Sequence, residues 1–127
     1  MKNKIPSILI IDDQVDFLLM LKHMLDNIGF TNIQYQKNAY QALKEYELFD
    51  IIFLDLKMPG MSGLEFLKNI KSTHNINKFL PKIIIITSDS DPVTKYECLQ
   101  NGADEYIIKP ANKDAIINGL KKINAII

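Results

Sequence analysis

DIIFLD, residues 50–55, is an apolar run closed at each end by an aspartate. Its four inner residues show no in-out alternation, the pattern of a strand covered on both faces of a parallel sheet. Three other runs share the design: SILIIDD (7–13), KIIIIT (82–87) and EYIIKP (105–110). A fifth, TNIQYQ (31–36), alternates and suits an edge strand. Helical patterns fill the intervals. Val15, Leu18, Leu21, Leu25 and Ile28 mark one face, stopped by Gly29. NAYQALKEYE (38–47) reads as a short second helix. Ser62 and Glu65 have the spacing of a capping box, opening a third helix through Leu67 and Ile70. Asp91 and Pro92 open a fourth, stopped by Gly102, and the last runs from Asn112 through Ile116, Leu120 and Ile123. This alternation of strand and helix predicts a doubly wound α/β sheet. With KSTHNINKFLP (71–81) as an internal connection, residues 1–127 are expected to form a single domain.

Composition narrows the function. Fifteen basic residues balance fifteen acidic ones, so no net charge points to nucleic acid or membrane. Every basic residue is lysine, which removes the guanidinium fork that reads DNA bases, and no direct nucleic-acid role is expected. A single cysteine, Cys98, excludes an internal disulfide and a cysteine-based zinc site. The apolar runs are too short for a membrane span, and the first one meets two aspartates too soon for a signal peptide. The expected compartment is the cytoplasm. The Lys, Asn and Ile bias suits a bacterial, AT-rich genome.

The four buried strands end in Asp12-Asp13, Asp55, Thr87-Ser88 and Lys109-Pro110. In an open parallel sheet, ligands bind beyond the carboxyl ends of the strands. Three carboxylates, a hydroxyl and an ammonium therefore meet at one edge. Carboxylates so close repel one another unless a cation or shifted pKa values relieve them. Oxygen ligands of this hardness suit Mg²⁺, leaving Thr87 and Lys109 to hold a tetrahedral anion. A carboxylate with that company is equipped to attack phosphorus, which makes Asp55 the candidate phosphoryl acceptor.

The motifs ILIIDD, FLDLKMPGMSG, IIIITS and GADEYIIKP, in this order and spacing, resemble the receiver domains of two-component response regulators, over the whole chain. The resemblance implies a flavodoxin-like, five-stranded (βα)5 fold with helices on both faces. It implies phosphoryl transfer from a sensor histidine kinase or a histidine phosphotransfer protein to Asp55. It implies Mg²⁺ held by Asp13 and Asp55, by Asp12 mainly through water, and by the Lys57 backbone carbonyl. Thr87 and Lys109 match the groups that bind the phosphoryl oxygens. Lys109-Pro110 matches a bond that is often cis. Tyr106 matches an aromatic that turns with Thr87 from a partly exposed to a buried rotamer. The output would be a changed surface for a downstream target, an attached output domain, or a phosphorylation-dependent dimer. Such a chain is not an enzyme beyond its own phosphorylation and dephosphorylation. Gln14 stands where a third acid is common, and Lys57 and Asp89 occupy variable positions that tune phosphoryl lifetime.

Each residue has a plainer reading. Asp12-Asp13 suits a helix cap, Asp55 a turn, Lys109 a solvated surface, Ser88 and Ser90 local capping. His23 and His74 lack partners at metal spacing, and Cys98 has no basic neighbour to activate it. Two alternatives belong to other classes. A phosphatase with an aspartyl-phosphate intermediate needs an acid two residues after its nucleophile, where this chain has Lys57. A degenerate receiver serving only as a binding module has usually lost an acid or the lysine, and this chain keeps both.

Overall fold

The computed structural model describes residues 5–73 and 79–126; His74 lies outside them. Five strands, β1 (Ser7–Ile11), β2 (Asn32–Gln36), β3 (Ile51–Leu54), β4 (Lys82–Thr87) and β5 (Glu105–Ile108), form one sheet in the order β2-β1-β3-β4-β5. All four pairings are parallel. The helices are α1 (Val15–Ile28), α2 (Ala39–Leu43), α3 (Gly63–Thr73), α4 (Pro92–Gln100) and α5 (Lys113–Lys122). The expected flavodoxin-like doubly wound sheet is what forms.

Side chains alternate across a strand, so unbroken apolar runs feed two cores at once. Ile8, Ile10, Phe53, Ile84 and Ile86 pack with Leu18, Leu21 and Leu25 of α1 and with Ile116 and Leu120 of α5. Leu9, Ile11, Ile52, Leu54, Ile83 and Ile85 pack on the other face with Phe66, Leu67 and Ile70 of α3, Ala42 of α2 and Cys98 of α4. Burial raises the Cys98 thiol pKa to about 11, as an inert core residue requires. Gly119 is buried where α5 meets the sheet; a Cβ there would come 3.0 Å from Ile107.

The caps are as read. Ser62 and Glu65 exchange both capping-box bonds, at 2.9 and 3.2 Å. Asp91 accepts from the Val93 amide at 3.0 Å, and Asn112 from Ala115 at 2.9 Å. Two expectations need correction. The second helix stops at Leu43 and gives way to a 3-10 turn, Tyr46–Leu48, because Tyr46 and Phe49 are drawn into the core. Val15 is exposed, not part of the apolar face, because it is the first helical residue and stands between exposed Gln14 and Asp16.

Candidate functional site

Register assembles the site. Ile11 of β1 lies opposite Leu54 of β3, so the residues that follow, Asp12 and Asp55, emerge side by side. Thr87 lies opposite Ile108, which delivers Lys109 to the same edge, and the Lys109 amide donates to the Thr87 carbonyl at 2.7 Å. The Lys109-Pro110 bond is cis, as the motif implied. Asp12, Asp55 and Thr87 make up the buried polar residues of the described chain. Asp13 is more open to solvent than either neighbouring acid, and carboxylate oxygens of Asp12, Asp13 and Asp55 lie within 4.8 Å of one another.

One ammonium serves two of these acids. Lys109 Nζ is 2.9 Å from Asp12 Oδ2 and 3.7 Å from Asp55 Oδ2. It also donates to Gln14 Oε1 at 3.0 Å and sits 4.0 Å from the centroid of the Phe17 ring. Asp55 Oδ1 accepts from the Leu56 amide at 2.8 Å. The Asp55 pKa is nonetheless raised. Burial contributes most and the Asp12 charge next; Lys109, the Thr87 hydroxyl and the Leu56 amide act in the opposite sense without cancelling them. Proximity of like charge in a dry setting is what a cation relieves.

Behind the acids, α3 begins hard against the chain. The Gly63 amide donates to the Leu56 carbonyl at 2.9 Å, and a Cβ on Gly63 would overlap the Asp55 carbonyl oxygen. Only glycine admits this approach. The SG pair in the second motif was the available signal for it. Lys57 points its side chain to solvent, one residue beyond buried Leu56.

On the other side, Thr87 and Tyr106 are joined through Asp89. The Asp89 amide donates to Thr87 Oγ1 at 3.3 Å, and its carbonyl accepts from the Tyr106 hydroxyl at 2.6 Å. The partly exposed starting rotamer expected for Tyr106 is not observed: the residue is 7% exposed, and its hydroxyl is held by that bond. Burial first, and then the Asp89 charge, push its phenol pKa up to about 12. Asp89 Oδ1 in turn accepts from the Asp91 amide at 2.9 Å, linking the loop to the cap of α4. The sequence reading found every member of this edge except the Gln14 and Phe17 contacts and the Asp89 link. His23, Ser88 and Ser90 are exposed.

Comparison with known proteins agrees with this geometry. The family model described as "Response regulator receiver domain" matches residues 8–121. Chemotaxis protein CheY-3 of Vibrio cholerae is 34% identical over 123 residues, covering 95% of this chain and 93% of that protein. The transcriptional regulatory protein ZraR of Escherichia coli K12 is 32% identical over 118 residues, which are 91% of this chain and 26% of that protein. Among solved structures, Vibrio cholerae CheY4 superposes with a TM-score of 0.82 at 25% identity, covering 94% and 99% of the two chains. A complex titled CheX-CheY-BeF3-Mg+2, from Borrelia burgdorferi, matches with a TM-score of 0.82 at 26% identity, covering 92% and 87%. The chain belongs to the response regulator receiver domain family.

Proposed function

We propose that this receiver domain, spanning residues 1–127, takes a phosphoryl group onto Asp55 from a phosphohistidine of a sensor kinase or phosphotransfer protein. The observation that carries the proposal is a buried Asp55, 4% exposed, with a second carboxylate beside it and the Lys109 ammonium 3.7 Å away. An Asp55 carboxylate oxygen attacks phosphorus, the phosphorus–nitrogen bond breaks, and the imidazole leaves with the bonding pair. The product is an acyl phosphate. Lys109 and the Thr87 hydroxyl hold its oxygens.

The carboxylate cluster of Asp12, Asp13 and Asp55 is a hard-oxygen donor set that fits Mg²⁺. The Lys57 carbonyl would be a further ligand, as the family resemblance implies. Bound there, the ion would neutralise charge on the transferring oxygens. Asp55 can then ionise fully without meeting Asp12 unscreened. The chain is not an enzyme beyond making and losing this bond, and its place of action is the bacterial cytoplasm. No described helix is long and apolar enough to cross a membrane. Once phosphorylated, Thr87 turns toward the phosphoryl oxygens, and Asp89 and Tyr106 move with it. That alters the α4–β5–α5 face for a downstream target, an output domain or a second copy.

The test is incubation with acetyl phosphate and Mg²⁺, followed by intact mass. One phosphoryl group should add to the wild type, none to Asp55→Asn, and chelation of Mg²⁺ should prevent labelling. An unchanged wild-type mass overturns the proposal.

A further inference from the structure

Lys109 has three N–H donors, and the structure accounts for two. One goes to Asp12 at 2.9 Å and one to Gln14 Oε1 at 3.0 Å. The Asp55 oxygen, at 3.7 Å, is in range for charge attraction but beyond hydrogen-bond length. The third donor is thus left for an oxygen arriving at Asp55. Beneath the ammonium lies the Phe17 ring, at a separation typical of cation–π attraction.

Gln14 and Phe17 are three residues apart at the first turn of α1, so they share one side of it. Gln14 occupies the N-cap position yet makes no capping bond with its side chain. Serine, threonine, aspartate or asparagine would serve the helix better there. Its amide oxygen goes to the lysine instead.

We propose that Gln14 and Phe17 are positioning residues for Lys109, a neutral acceptor and a ring that steady the ammonium with one donor free for the phosphoryl group. Neither touches the reacting atoms. A neutral acceptor at position 14 suits this task, because it orients the lysine without adding a further negative charge to the carboxylate cluster. The consequence for rate rests on the phosphoacceptor reading above; the placement of the ammonium does not.

The experiment measures both. In the unphosphorylated chain, the ammonium resonance of Lys109 is assigned by its loss in Lys109→Met. The Phe17 ring should move its protons upfield. That displacement should vanish in Phe17→Leu and persist in Phe17→Tyr. In Gln14→Met, faster exchange with water should broaden the resonance. Labelling of Asp55 by acetyl phosphate at fixed Mg²⁺ should slow by about two- to fivefold in Phe17→Leu, the range of a partly exposed cation–π contact. Phe17→Tyr should restore it. Unchanged resonance and unchanged rate in Phe17→Leu and Gln14→Met overturn the proposal. So does a slower rate in Phe17→Leu that Phe17→Tyr fails to restore, which marks a packing role. If the wild type takes no label, the phosphoacceptor reading falls, and the ammonium resonance alone decides the placement of Lys109.

Discussion

The two ends of the sheet use the same residue type to opposite effect. At the end where the strands begin, carboxylates stand apart and are satisfied by backbone donors. Asp50 accepts from the Ser7 amide at 2.9 Å and its hydroxyl at 3.2 Å, and Asp104 accepts from the Ile83 amide at 2.8 Å. There they stitch strand to strand. At the end where the strands finish, Asp12, Asp13 and Asp55 crowd within 4.8 Å, and one lysine serves Asp12 and Asp55. Asp12 and Asp55 also accept one backbone amide each, at 2.9 and 2.8 Å, so crowding is what separates the two ends: carboxylates that stand apart stabilise the fold, whereas clustered ones hold repulsion that a bound cation can relieve.

The sharpest way to break the contrast is at the finishing end, where backbone packing is tightest. Gly63→Ala puts a methyl group into the Asp55 carbonyl and 2.9 Å from Leu56 Cα, and backbone cannot yield as a side chain would. Despite alanine's better helix propensity, the change should destabilise the chain by about 3 kcal/mol, the upper range for an overpacked site. Urea unfolding measures this; an unchanged midpoint would refute the close approach. Next is the beginning end. Asp50→Ala strands the Ser7 amide, whereas the Ser7 hydroxyl keeps the Leu48 carbonyl and the Asp50 amide as partners, and the change should cost about 2 kcal/mol by the same measurement. A loss no larger than that of an exposed-surface substitution would dissolve the distinction between the two ends.

The smallest effect has the opposite sign. The Asp55 pKa is raised, so the folded state holds that proton more tightly than the unfolded chain does. Below the unfolded pKa this costs nothing; as pH rises through the unfolded and then the folded pKa, stability is lost. In EDTA at neutral pH, Asp55→Asn should therefore be more stable than wild type, by less than the Asp50 change removes. The gap should close as the solution is acidified. Thermal melts across pH read both, and an Asp55→Asn chain less stable than wild type at neutral pH contradicts the reading.

Most of the fold was legible because its strands are buried on both faces, and an unbroken β-branched run carries that signature locally. The caps were legible for the same reason: Ser62 with Glu65, and Asp91 with Pro92, are signals contained in a few adjacent residues. What escaped was whatever depends on a distant partner. NAYQALKEYE has helical spacing to its end, yet the core takes Tyr46 and Phe49 and cuts the helix at Leu43. Gln14 reads as a weak cap until Lys109 arrives beside it. The rotamer of Tyr106 depends on a carbonyl that any residue at position 89 would supply, so no side-chain pattern announces it. The candidate site was legible in its acids, hydroxyl and lysine, because each ends a strand that is itself readable. It was not legible in the residues that hold those groups in place.

The bond between Lys109 and Asp12 joins residues 97 positions apart in the chain. Contacts of such long range form late, after the entropy of closing the intervening chain has been lost. At about 5–20 residues per second, Lys109 follows Asp55 off the ribosome by several seconds. During that interval the nascent chain carries both acids with no ammonium to face them. A fragment that ends between residues 55 and 109 holds both acids yet lacks the lysine that faces them in the folded chain. On the proposed phosphoacceptor function, competence is thus a property the chain acquires only when β5 is in hand, and a half-made copy has no complete site.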